Sequence, residues 1–334
     1  MKEISRNRIA VCPKTSLWRL LQHQRVLSSE ALIMEETAIG RDSARKIQSD
    51  ARQMMTWREL FGPQGLFSRE QVYFRENITP DEMAQWDAIL VAGGDNHLQF
   101  VAQFVPPNIP IIGVNSDPGP EGSHGGLCSF NSTQVASLLH ALEAGDYEQV
   151  AWPRLEIQIG SGRRWHAVSQ VRFVASDADR TCRVRFAIYP EGDQTALSET
   201  PTALPASGLI VAAPGGKTGH FSSASRFIPR PLRIEAAQRW QRTSTLAYYV
   251  NQEPFYGGKG IEEEISIEEV CRDMLFGSLE EGQVMIVRSG TFDGEVSIDT
   301  EWREPFPTDS IARLRIRKEY AMQIIINFPR NIKE

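Results

Sequence analysis

An aspartate stands directly after two glycines in Gly93-Gly94-Asp95-Asn96-His97, and the four residues before them, Ile89-Leu90-Val91-Ala92, are all apolar. Paired glycines let a backbone come close to phosphate oxygens, and a helix starting there favours negative charge at its N-terminus. A carboxylate in that turn could accept a hydroxyl proton or help to hold Mg²⁺. It could also simply cap the helix that starts at Asn96. His97 has two readings, a cation reaching phosphate or a neutral side chain in the crevice. About twenty residues on, the apolar run Ile109 to Val114 ends in Asn115-Ser116-Asp117-Pro118. Asp117 could bind a metal or a ribose hydroxyl, and Asp-Pro is also a common turn. A third polar turn follows Gly208-Leu209-Ile210-Val211-Ala212-Ala213, in Pro214-Gly215-Gly216-Lys217-Thr218-Gly219-His220. A P-loop needs glycine five residues before Gly216, and Val211 stands there, so that motif is absent. Lys217 is read either as a charge for phosphate or as a solvated loop lysine.

The elements that must hold these turns follow from periodicity. Arg8 to Cys12 reads as the first strand, with Lys14 in the turn after it and Ser16 capping a helix through Leu17, Leu20 and Leu21. Lys14 at a strand's C-terminal end is placed to face a ligand, the alternative being a solvated turn lysine. Ser43 to Leu60 has the apolar stripe of a helix. Gln71 to Phe74 reads as a short strand, and Thr79-Pro80-Asp81-Glu82 as a helix start. Leu98, Val101, Ala102 and Val105 place a helix after the Asp95 turn, ended by Pro106-Pro107. This β–α alternation predicts a doubly wound α/β domain over residues 1–147, whose ligands sit at the strands' carboxyl ends. Later the pattern is strand-rich. Leu155 to Ile159 alternates strictly, and Trp165 to Ala175, Arg183 to Ile188, Gln283 to Arg288, Gly294 to Ile298 and Ile311 to Ile316 read as strands. A β-rich, sandwich-like substrate and oligomerisation domain is expected over 148–305. A very apolar segment near the C-terminus, within 306–334, is expected to dock back on a domain.

The three turns, in this order, resemble the NAD kinase family, and most its mitochondrial-type branch. Members carry GGDGT after the central strand, a GVN-type turn after the next, and a GLIVSTPTGSTAY-like segment in the β-rich domain. The resemblance runs over roughly residues 5 to 220. It implies an ATP-dependent kinase that phosphorylates a hydroxyl of NAD or a related small molecule, with Mg²⁺, as a homo-oligomer (dimer or tetramer) with its ligand site between domains. It further implies that Asp95 is the catalytic base and that Gly93, Gly94, Asn96, His97 and Lys14 handle nucleotide phosphates. Asn115, Ser116, Asp117, Ser169, Gln170, Gly216, Lys217, Thr218 and His220 would contact the acceptor. The departures lie mostly on the acceptor side. The family's Asn-Glu pair becomes Ser169-Gln170, and the threonine, serine and tyrosine of TPTGSTAY become Gly215, Lys217 and His220. A site that loses hydrogen-bonding partners changes its selectivity. A kinase for another alcohol, such as a sugar or polyol, and a nucleotide-binding protein without catalysis therefore remain as rival readings.

The 334 residues suffice for one large or two ordinary domains, and a net charge of −6 argues against a generic nucleic-acid or membrane surface binder. No apolar run approaches the roughly 18 residues of a membrane span. Cys12, Cys128, Cys182 and Cys271 form no CxxC, which suits a reducing, cytoplasmic setting rather than a disulfide framework.

Overall fold

The computed structural model describes residues 1–25, 28–39, 43–118, 122–177, 179–200, 204–252, 275–299 and 301–327. The chain divides into two compact units, Met1–Val150 with Gln323–Glu334, and Ala151–Met322.

The first unit is built on parallel strands. Ala88–Gly93 lies between Ile9–Pro13 and Ile111–Asn115, in register Val11↔Leu90 and Leu90↔Ile112. The far edge of Ile111–Asn115 is shared: Ile324 pairs with Ile111 at its start, and Phe130–Asn131 pairs at its end. All three central strands are wholly buried, as strands covered on both faces must be. One side of the sheet packs Val11, Leu90, Val114, Leu138, Leu142 and Ile325 into a single core. Parallel strands with their C-terminal ends aligned bring the ends of the Gly93 and Asn115 strands together: Gly93 pairs with Asn115. The two turns singled out above are therefore neighbours.

The expected strand at Gln71 to Phe74 does not form. That stretch is two 3-10 turns, Arg69–Gln71 and Arg75–Asn77, with one bridge from Val72 to Val11. The buried Gln71 amide donates to the carbonyls of Arg6 and Ile9, which anchors the segment without a ladder. Thr79 caps the helix Pro80–Met83, its hydroxyl accepting from the Glu82 N–H. A helix over Ser29–Ala38, SEALIMEETA, was not visible as a pattern because its apolar residues follow no stripe.

The second unit is antiparallel. One sheet runs Phe276–Glu280, Leu246–Gln252, Gly208–Ala212, Gln170–Ala175, Gly294–Ile298, Trp302–Pro305. Val171, Phe173, Leu209, Val211 and Tyr249 on this sheet share a core with Phe186, Met285, Val287, Leu314 and Ile316. The latter come from Cys182–Pro190, Gln283–Ser289 and the long Ile311–Asn327 strand. One strand reading needs correction. Trp165 to Ala175 is broken into Arg164–Ala167 and Gln170–Ala175, for a reason given below. Asp293-Gly294 links Gln283–Ser289 to Gly294–Ile298, which lie in different sheets and do not pair with each other. Among the described residues no helix is long and apolar enough to cross a membrane. Glu262 to Glu264 and Cys271 lie outside the described residues.

Candidate functional site

The first cluster lies where the Gly93 and Asn115 strands end. The following helix is Asp95–Ala102, with Gly94 as its N-cap. Asp95 is thus inside the first turn and is not the cap. Its carboxylate turns sideways: one oxygen accepts the N–H of Gly126 at 3.0 Å and the other that of Leu127 at 2.7 Å. Two backbone donors fix the carboxyl plane while each oxygen keeps a further lone-pair direction free. Gly94 faces a cavity of about 290 Å³ lined also by Lys14, Leu17, Arg45, Lys46, Ser49, Gln53, Ser116, Asp117, Gly122 and Ser123. Lys14, Arg45 and Lys46 give it a basic wall.

Asp117 does not leave a bare negative charge there. Arg52 Nε and Ser49 Oγ both donate to its carboxylate. Lys46 pairs with the fully buried Glu36. Asn115 is spent on its own loop. Its amide donates to the Ser123 carbonyl at 2.9 Å, and its oxygen accepts the Asp117 N–H at 3.1 Å. Asn115 therefore holds the loop behind the cavity, whereas Ser116 and Asp117 line the cavity directly, the Ser116 carbonyl accepting from Thr56. Asn96 is exposed on the helix surface.

His97 is not available to phosphate. It is 3% exposed, its Nε2 lies 3.1 Å from the Cys12 carbonyl, and its ring stacks on Phe100. A carbonyl only accepts, so Nε2 carries the proton. Burial pushes the imidazole pKa down to about 3, and Lys14 and Arg75 push the same way, so the ring is neutral. Gly93 is glycine on this account: a Cβ there would come 2.8 Å from the His97 ring. Its role is to lie flat on a histidine, and Gly94 alone of the pair meets the cavity.

The second cluster is in the other unit. Ser169 and Gln170 sit at the break between Arg164–Ala167 and Gln170–Ala175, and both are buried. The Gly215-Gly216 turn lies against them. A Cβ on Gly216 would collide with the Ser169 carbonyl, and Ala213 N–H donates to that same carbonyl at 2.8 Å. This glycine thus approaches backbone. Lys217 is also redirected: its ammonium donates to the carbonyls of Ala237 and Trp240 at 3.0 and 2.9 Å. Those carbonyls end the helix Arg230–Arg239, where a cation satisfies open acceptors. His220 is exposed and its Nδ1 lies 3.2 Å from Gln170 Nε2. It starts a short helix, His220–Ala224. Thr218 closes the 3-10 turn Pro214–Thr218, and its side chain lies outside the described residues.

Three groups escaped the sequence reading. Arg45, Lys46, Ser49, Arg52 and Gln53 form a polar stripe at three- and four-residue spacing on Ser43–Phe61, which was visible in principle. Asp299 is fully buried under the Ser169 bend, and nothing in its local sequence announces it. Arg154, whose positive charge acts on Asp299 in that core, sits in the strand Glu148–Ile159 just before the stretch read for its alternation. Among the described residues no three His, Cys, Asp or Glu side chains converge as a metal site.

Comparison with known proteins agrees with this architecture. No protein-family model matches the chain. An NAD kinase of Heliobacterium modesticaldum is 33% identical over 159 residues, 45% of this chain and 50% of that protein. A probable NADH kinase of Oryza sativa is 24% identical over 226 residues, 64% of this chain and 62% of that protein. Among solved structures, yeast NADH kinase complexed with NADH has a TM-score of 0.60 at 12% identity, covering 98% of this chain and 84% of that one. An NAD kinase from Archaeoglobus fulgidus in complex with ATP has a TM-score of 0.55 at 15% identity, covering 97% and 94%. The chain is similar in sequence to NAD kinases over part of its length and has the fold of NAD(H) kinases. It spans about half the length of the first of these curated relatives. The fold matches NAD(H) kinases over nearly the whole chain, whereas the sequence likeness to the bacterial NAD kinase is confined to less than half of it.

Proposed function

We propose that this chain is a divergent member of the NAD kinase family and transfers a phosphoryl group from ATP to a hydroxyl of NAD or a related small molecule. The observation that carries the reading is Asp95: a carboxylate oriented by two backbone N–H groups, next to a glycine that lines a basic cavity. Phosphoryl transfer asks mainly for positioning and charge neutralisation. Lys14 and Arg45 supply positive charge for the donor's phosphates, and Asp95 accepts the acceptor hydroxyl's proton. Mg²⁺ usually arrives on the nucleotide, held by its phosphates and one or two carboxylates. That suits a protein whose described residues build no cage of their own. When bound, the ion's chemistry would be to neutralise charge on the phosphates. Ser169, Gln170 and His220 are the acceptor-side groups of the second unit. A homo-oligomer in the cytoplasm belongs to the same proposal.

A second reading keeps the kinase and changes the alcohol. It is favoured by Gln170, whose amide is tied to His220 where the family carries a carboxylate. ATP consumption measured across NAD, NADH and a panel of polyols separates the two readings from nucleotide binding without turnover. Asp95→Asn is expected to lower kcat by about 10²–10⁴, the usual worth of a positioned base. Near-normal turnover in a folded Asp95→Asn variant would show that the carboxylate serves only the Gly126–Leu127 loop.

A further inference from the structure

We propose that Asp299 is a positioning residue for the acceptor: it sets the bend at Val168–Gln170 and so presents Gln170 and His220 to a dinucleotide. The proposal rests on the reading above that these residues meet the acceptor. Asp299 is completely buried. Its carboxylate accepts the N–H of Val168 at 2.7 Å, of Ser169 at 2.7 Å and of Gln170 at 3.0 Å. Its own N–H donates back to the Gln170 carbonyl at 2.9 Å. Four bonds thus join one residue to three consecutive residues of another segment.

Three consecutive amides pointing to one side are incompatible with an extended strand, whose N–H groups alternate. The clamp is therefore why the strand reading over Trp165 to Ala175 fails in the middle. Only an ionised carboxylate offers acceptor directions enough for three donors; an asparagine would turn its NH₂ toward one of them. The geometry is imposed on Asp299 as well, which holds φ at 49°, an uncommon conformation for a residue with a Cβ. A buried charge is costly unless it is paired and hydrogen-bonded. Arg154 supplies the opposite charge, itself held by donating to the Tyr320 carbonyl at 2.6 Å.

The bend is transmitted outward. The Ser169 carbonyl receives Ala213 N–H, which docks the Pro214–Thr218 turn on the clamp. Gln170 is 2% exposed, and its side chain reaches the exposed His220 ring. Asp299 touches no ligand in this arrangement. It fixes the residue that fixes the histidine, while the phosphate-facing cluster of the first unit is built without it.

The test is Asp299→Asn in the full chain, with circular dichroism to check folding and calorimetry to measure NAD and ATP binding. The expected result is NAD affinity at least about tenfold weaker, with ATP affinity within about twofold of wild type. Equal losses for both ligands, or no loss for either, would overturn the proposal. Wild-type protein that bound neither NAD nor NADH would overturn the functional reading and this proposal with it. NAD binding that survives in the variant overturns the proposal alone. Should Asp299→Asn not fold, amide hydrogen exchange on wild type decides. NAD, and not ATP, should slow exchange at Val168, Ser169 and Gln170, and unchanged exchange there refutes the idea.

Discussion

The neutral His97 makes a quantitative demand on the acid stability of the first unit. The imidazole pKa is about 3 in the folded protein against an ordinary value of 6.5. A folded pKa below the unfolded one means that the unfolded chain binds the extra proton. The stabilising contribution of the neutral ring is therefore complete above about pH 6.5 and is lost as pH falls toward 3. Each pH unit in that window removes about 1.4 kcal/mol, so going from pH 6.5 to 4 costs about 3 kcal/mol. His97→Gln removes the titration and keeps a donor for the Cys12 carbonyl. At pH 7 the variant should be less stable by about 1–2 kcal/mol, because the Phe100 stacking and the packing under Gly93 are diminished. Near pH 5 the two proteins should cross, and below it the variant should be the more stable. Urea unfolding at pH 7, 6, 5 and 4, following a probe in residues 1–150, gives the difference directly. His166 is also depressed, to about 4, but it is present in both proteins and cancels. If the wild-type-minus-variant difference is flat with pH, His97 is not held neutral by burial, and its dismissal as a phosphate ligand loses its basis.

Other outcomes follow from the same contacts. Gly93→Ala drives a Cβ onto the His97 ring; about 1–3 kcal/mol should be lost in thermal or urea unfolding, as for other overpacked cores. Lys217→Met should destabilise the second unit by about 1 kcal/mol, through the lost helix C-terminal bonds, and should leave ATP affinity unchanged by calorimetry. Lys14→Ala should weaken ATP binding about tenfold, with a shallower salt dependence and an unchanged melting temperature, since a charge facing the cavity contributes to binding rather than to folding.

Much of the phosphate side was legible because parallel-sheet topology converts sequence order into position. Once Ile89–Ala92 and Ile109–Val114 are read as neighbouring parallel strands, their terminal polar turns must meet at one sheet edge. What residues do within that edge was less legible. His97 and Gly93 look like parts of a phosphate cradle by type and order, yet one packs under the other, and only three-dimensional burial tells the two uses apart. Lys217 shows the same ambiguity. A lysine beside glycines reads as a ligand group until the end of a helix some twenty residues later proves to need a cation. Asp299 was invisible for a different reason. Its partners are about 130 residues away in sequence, and no local periodicity encodes a contact at that separation.

The pairing of Ile324 with Ile111 bears on how the polypeptide is made. The opening 150 residues supply most of the first unit, and residues 323 onward complete it. During synthesis the early parallel strands must wait, with part of one edge uncovered, until the intervening 172-residue unit has been translated. Dissecting the protein into halves at residue 150 would reproduce that unfinished intermediate permanently. A circular permutant that joins the two ends and opens the chain elsewhere would instead let the first unit form from one uninterrupted stretch.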